Sequence, residues 1–241
     1  MKHLKYKSHI TLLSILLISF WGCSDSHLEQ KSIDNPSSLN SIFPRLFTDN
    51  AGTVHMSWIH KIGEVAELRI ARLTSPSSTE DTDELSWSAY TSVAQSDDWF
   101  VNWADFPSVV GLNGAPVAAH WLDKVPGSPY SYHVTIQPIE DQDWSQKSTQ
   151  ANNQNNQIGF QNEAFVPHTD NTNTEHGFVS MQPLDSSTFY AIWLDGRNTK
   201  TGASDTQGQD HGHGHDGAMT LRAAEFDAAG RLYEEVAVSY T

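Results

Sequence analysis

Three segments of this 241-residue chain share one pattern, and it restricts the fold more than any other feature. The first reads Pro44-Arg45-Leu46, then Asp49 and Gly52, then an alternating stretch ending in Trp58. The second reads Pro107-Ser108-Val109, then Asn113-Gly114, then a stretch ending in Trp121-Leu122-Asp123. The third reads Gly177-Phe178-Val179-Ser180-Met181, then Asp185-Ser186-Ser187, then Trp193-Leu194-Asp195. Each is a period-2 strand, a tight polar turn and a second strand closed by tryptophan. Two more strand-like segments follow in each unit: Glu67–Leu73 and Trp87–Val93, Tyr132–Ile139 and the region of Trp144, Ala218–Phe226 and Leu232–Val238. No long stretch holds a helical period. Four strands per unit, recurring every roughly 60–70 residues, is the arithmetic of a propeller blade. The expectation is an all-β fold, an incomplete β-propeller of about three four-stranded blades. Closed propellers have four to eight blades, and three would leave two open edges. Val236 to Thr241 stop within a strand-like run, so a chain truncated relative to a longer ancestor, or a gene ending early, is expected.

The first 22 residues stand apart. Lys2, Lys5 and Lys7 precede an apolar run from Ile10 to Trp21 that is too short to span a bilayer. That run ends in Phe20-Trp21-Gly22-Cys23, and Cys23 is the single cysteine. No internal disulfide or cysteine-based metal site can form. A small residue before a cysteine at this place resembles a lipoprotein signal, with Cys23 lipidated as the first mature residue. Phe20 and Trp21 depart from the usual aliphatic and small residues there. Ser24 favours the outer membrane, on the periplasmic or surface side of the cell envelope. Residues 23–41 are polar and read as a flexible tether, which leaves 42–241 as the folded domain.

The formal charge is −15, and removing the three leader lysines makes it −18. Such a surface repels phosphate backbones, so nucleic acid is not an expected partner. No Gly-rich phosphate loop, nucleophile elbow or Cys/His redox motif is present, and no cofactor is expected.

Four blocks carry a family resemblance: Asp98 through Ser108, Ala119-His120-Trp121-Leu122, Thr174 through Ser180, and Trp193-Leu194-Asp195-Gly196-Arg197. They resemble exported bacterial sialidase-like, or BNR-repeat, propeller proteins over about residues 42–241. The resemblance implies a carbohydrate ligand. It also implies Asp-boxes, and Thr82 through Trp87 and Glu140 through Trp144 look like degenerate ones without their glycine. Phe43-Pro44-Arg45-Leu46 is similar to the first-arginine motif, with Pro and Arg exchanged. Arg45, His120, Asp195 and Arg197 are the implied substrate-binding residues. The remaining arginines and the tyrosine nucleophile would lie in blades this chain lacks, so exo-sialidase activity is doubtful.

Several residues offer chemistry on their own account. Asp105 could be a general acid kept protonated by apolar neighbours, or a turn-capping residue. His168, Asp170, Glu175 and His176 could supply a base, hold a metal, or simply position a loop. Asp105, Glu175 and His176 are the catalytic candidates. Arg197 could grip a carboxylate or pair with Asp195 or Asp123. His211, His213 and His215 alternate with glycine in a polar insertion and could take up Zn²⁺, Ni²⁺ or Cu²⁺ weakly. Two functions follow: a glycan-associated lipoprotein of the sialidase-like superfamily, or a non-catalytic propeller scaffold or interaction protein. Weak metal binding through the His211–His215 tract is a third.

Overall fold

A computed structural model describes residues 32–74, 85–128, 131–140, 163–168, 170, 172–199 and 218–238. Cys23, His211, His213, His215, Asp83 and Trp144 lie outside them. The described chain is all-β, with thirteen strands in three antiparallel sheets and no helix. The first sheet contains β1 (Ser41–Thr48), β2 (Val54–Ile62), β3 (Val65–Thr74), β4 (Ser86–Trp87) and β5 (Thr91–Ser96). β4 and β5 both pair with β3. In the second sheet, β6 (Trp99–Phe100) and β7 (Ser108–Leu112) lie along one side of β8 (Ala115–Lys124), and β9 (Tyr132–Pro138) lies along the other. Phe165 exchanges both backbone hydrogen bonds with Ile136 on the far side of β9. The third sheet runs β10 (His176–Pro183), β11 (Thr188–Asp195), β12 (Thr220–Asp227) and β13 (Leu232–Ala237) in order.

The repeat read from the sequence is a repeat of register. Arg45 pairs with Ser57, Ser108 with His120, and Ser180 with Ile192. The next residue on the second strand is Trp58, Trp121 or Trp193, each buried. Two residues before the paired position stands Phe43, Phe106 or Phe178. In β1 and β10 that phenylalanine has φ of 54° and marks a bulge. A bulky residue in the left-handed region is strained, so each bulge is held by its surroundings. In the second sheet the same place opens into the whole excursion of residues 101–107 between β6 and β7.

Burial alternates along β1 and is continuous along β7, and two clusters form the core. Ile59, Leu68, Ile70, Val93, Val109, Ala119 and Trp121 fill one. Leu122, Val134, Ile136, Met181, Phe189, Trp193 and Phe226 fill the other, and each cluster draws on two sheets. The hairpin tips are laced together. Asp49 is buried and accepts from its own turn at Ala51 and Thr53, from Gly114 of the second hairpin, and bonds the His55 ring. Asn113 joins Asn50 on one side and donates to the Ser186 carbonyl on the other.

One element of the repeat is broken. Trp121 Nε1 donates to Asp123 at 3.1 Å, and Trp193 Nε1 donates to Asp195 at 3.0 Å. His60 stands at the same place after Trp58, and both Trp58 Nε1 and His60 Nδ1 are buried without a hydrogen-bond partner among the described residues. A buried unpaired donor costs stability. His60→Asp supplies the missing acceptor; the new carboxylate faces Glu67 across the ladder, and Arg69, already paired with Glu67, lies near enough to offset that repulsion. The variant is expected to gain about 1 kcal/mol, read as a rise of about 2–4 °C in melting temperature.

Candidate functional site

Arg45 of β1 reaches β7 of the second sheet and β10 of the third. Its Nη1 donates to Ser108 Oγ at 2.9 Å and to the Val109 carbonyl at 3.1 Å, and its Nη2 donates to the Met181 carbonyl at 2.8 Å. Ser108 Oγ also bonds His120 Nδ1 at 3.1 Å. Burial, with Arg45 nearby, pushes the His120 ring down to about 3, so it is neutral. Arg45 and His120 thus form one chain of hydrogen bonds that joins sheets.

Asp105 ends the 101–107 excursion, but it does not cap its own turn. Asn102 does that, accepting from the amides of Ala104 and Asp105 at 2.8 Å each. Asp105 instead points away, and its Oδ2 accepts from the Phe178 amide at 2.6 Å in the bulge of β10. The approach is so close that a Cβ on Gly177 would collide with the carboxylate. Burial raises Asp105 to about 6, against the two backbone amides that favour its charged form, with the Glu175 carboxylate adding a smaller push. Asp105 could have been a general acid or a turn cap; its carboxyl is raised by burial, and it spends an oxygen on a clamp between sheets.

A second group of polar side chains gathers where the 163–175 segment meets β9, β10 and β11. His168 Nδ1 bonds Asp170 Oδ1 at 2.9 Å. The rings of His168 and His176 stack at 3.8 Å with 5° between their planes, and His133 stands edge-on to both. His176 Nε2 lies 3.4 Å from Asp170 Oδ2 and 3.7 Å from Asp195 Oδ2. Asp195, fully buried at the end of β11, takes a two-pronged pair from Arg197, Nε at 2.7 Å and Nη2 at 2.8 Å. Arg197 and Arg222 share Glu235 Oε1. Burial pulls the Asp195 carboxyl up, but Arg197 and Trp193 outweigh it and leave it below the usual range. The Asp195 contacts in turn raise Arg197. Burial also opposes ionisation of Asp170, and its hydrogen bond from Thr172 and the nearby imidazoles win, so it is lowered. Burial lowers His168 to about 4.

The sequence-derived candidates therefore fall into three places. Arg45 and His120 lie between the inner strands. Asp105 lies at the β10 bulge, with Glu175 near enough to act on its charge. His176, Asp195 and Arg197 lie together with His168 and Asp170. Glu175 contributes its backbone, pairing with Tyr132 and accepting from the Gly196 amide. Arg197 pairs with Asp195, one of the two partners its sequence position allowed. Asn102, His133 and Glu235 were not singled out by the sequence. The Asn-x-x-Asp spacing was the available signal for the first. His133 and Glu235 sit in strands whose alternation carries no mark of their neighbours. No family model, no curated protein and no solved structure matches the chain.

The raised acid gives a signed pH dependence. A carboxyl shifted up on folding contributes stability that is fully present below about pH 4 and is lost as pH rises through about 6. Asp105→Asn keeps an acceptor for Phe178 and removes the titration. The melting temperature of the wild type minus that of the variant is expected to fall between pH 4 and 6.5. A difference that grows instead would show that the amide bonds, not burial, govern this carboxyl.

Proposed function

We propose that the chain is an exported, lipid-anchored protein of the sialidase-like superfamily, with a β-propeller of about three blades, that binds carbohydrate without hydrolysing it. The observation that carries this reading is how the polar side chains are used. Arg45, Asp105 and Arg197 are the residues a sialidase-type reaction would call on. Each is committed to a neighbouring sheet or a buried acid. The chain has six arginines, and Arg69 and Arg231 are likewise paired, with Glu67 and Asp227. Gripping a sugar carboxylate with an arginine triad would mean dismantling the contacts that hold the sheets together.

Binding needs less. Trp103 stands 81% exposed at the tip of the excursion that Asn102 folds and Asp105 fastens down. A rigidly presented indole offers a broad apolar face at low entropic cost, suited to the flat face of a pyranose ring. The acidic surface favours a neutral sugar over an anionic one.

A glycan array on the protein is expected to give selective binding to neutral saccharides that Trp103→Ala weakens at least about tenfold. The melting temperature should be unchanged, since an exposed side chain contributes little to stability. A fluorogenic sialoside is expected to show no turnover. Release that disappears in Asp105→Asn would make this an enzyme and overturn the reading. The anchor has its own test: Cys23→Ala should move the protein from the membrane to the soluble fraction, and unchanged fractionation would sink the lipoprotein assignment.

A further inference from the structure

We propose that His168, Asp170 and His176 bind a divalent transition metal, with Zn²⁺ the best match to two imidazoles and a carboxylate. One donor atom from each residue lies within 4.8 Å of the others. Two donors on a tetrahedral zinc at about 2.0–2.1 Å are roughly 3.4 Å apart. The His168 and His176 rings are stacked 3.8 Å apart with 5° between their planes, and an imidazole lone pair lies in its ring plane, so closure onto the ion requires the His168 ring to turn out of the stack and give up its bond to Asp170.

The hydrogen bonds around His176 point the same way. Its Nδ1 faces the Thr174 carbonyl at 3.1 Å and the Tyr132 carbonyl at 3.3 Å. Two carbonyl acceptors fix the ring hydrogen on Nδ1. Nε2 then carries a lone pair, is buried, and has no hydrogen-bond partner among the described residues. It faces carboxylate oxygens of Asp170 and Asp195 at 3.4 and 3.7 Å. One imidazole nitrogen and two carboxylates thus converge on one point, and a divalent ion there would complete the neutralisation that Arg197 begins from behind. Backbone carbonyls that orient a histidine and leave its other nitrogen bare are the usual outer shell of a metal-bound imidazole.

The rest of the outer shell is present. Arg197 lies 3.7 Å from Asp170 and holds Asp195 with two hydrogen bonds, fixing the carboxylates from behind. His168 Nε2 and His133 Nε2 are also buried without hydrogen-bond partners among the described residues. A metal here would pin the 163–175 segment to the start of β10 and the end of β11. Its ligands include neither Trp103 nor His211, His213 or His215, and it is independent of the carbohydrate reading.

The tract could also bind metal, so the experiment removes it first. Full-length protein carrying His211→Asn, His213→Asn and His215→Asn is stripped with chelator and titrated with Zn²⁺ and Co²⁺. One tight equivalent is expected, with a rise of about 5–10 °C in melting temperature at a hundredfold excess over the dissociation constant. Co²⁺ should give the visible absorption of a four-coordinate nitrogen–oxygen site. Asp170→Asn and His168→Gln, in the same background, should each weaken binding at least about 100-fold. X-ray absorption of the zinc-loaded tract variant should report two imidazoles, and this measurement decides even if the point variants fail to fold. The proposal is overturned if the tract variant binds no zinc below about 100 μM, a thousandfold weaker than a useful structural site. It is also overturned if Asp170→Asn and His168→Gln, both folded, bind as tightly as their parent, or if the absorption shows no imidazole.

Discussion

The guanidinium of Arg45 is the contact on which the arrangement of the three sheets rests. Within each sheet, hairpin ladders are local and self-sufficient, and nothing in them fixes one sheet against the next. Arg45 does so through three donated hydrogen bonds, to Ser108 Oγ and to the carbonyls of Val109 and Met181. All three acceptors are neutral. A buried cation without a counter-charge is expensive, and burial accordingly depresses Arg45. What offsets the cost is that the acceptors sit on β7 and β10, in the other two sheets, and hydrogen bonds to a charged donor are stronger than neutral ones.

The strained phenylalanines follow from this. For the arginine to reach across, the strand before it must turn away from its ladder, and the bulge at Phe43 does that. The ring then stacks on Phe106 at 5.3 Å, on the second sheet. At Phe178 the same backbone conformation exposes amides, and Asp105 reaches in from the second sheet to accept the Phe178 amide. Each bulge is therefore closed by a residue of the neighbouring unit. A single unit could not hold its own bulge, so the repeat gains its order from stacking against its copies.

What could be read from the sequence, and what could not, divides along the same line. Trp58, Trp121 and Trp193 were legible as equivalent because period-2 alternation and polar turns are local, and register follows from them. The all-β class came with them. Asn102 was available in the Asn-x-x-Asp spacing but was eclipsed by the more reactive-looking Asp105. The partner of Asp105 is 73 residues away, and no local pattern encodes that distance. His168, Asp170 and His176 were recognisable as a cluster because one short segment carries them. Asp195 behind them was legible as the end of the third repeat and, by resemblance, as a substrate-binding residue, but not as a neighbour of His176. The gathering of His133 onto the same point depends on how β9 meets β10, which is tertiary structure and leaves no trace in composition.

The Trp–Asp pairs show how one device can serve two ends. In the second sheet Asp123 accepts from Trp121 and from Thr135, and its role ends there. In the third sheet the equivalent Asp195 accepts from Trp193, but it also takes Arg197 and stands beside His176. The carboxylate that fastens a tryptophan in one unit has become, in the next, one wall of a charged cluster. The change required only an arginine two residues later and a histidine at the start of the preceding strand. The first sheet has His60 in place of the acid, and its tryptophan nitrogen has no hydrogen-bond partner among the described residues. Three copies of one register position thus hold a structural bond, a polar cluster and a vacancy. The contacts that differ among the copies, rather than those they share, are where function is to be sought in this chain.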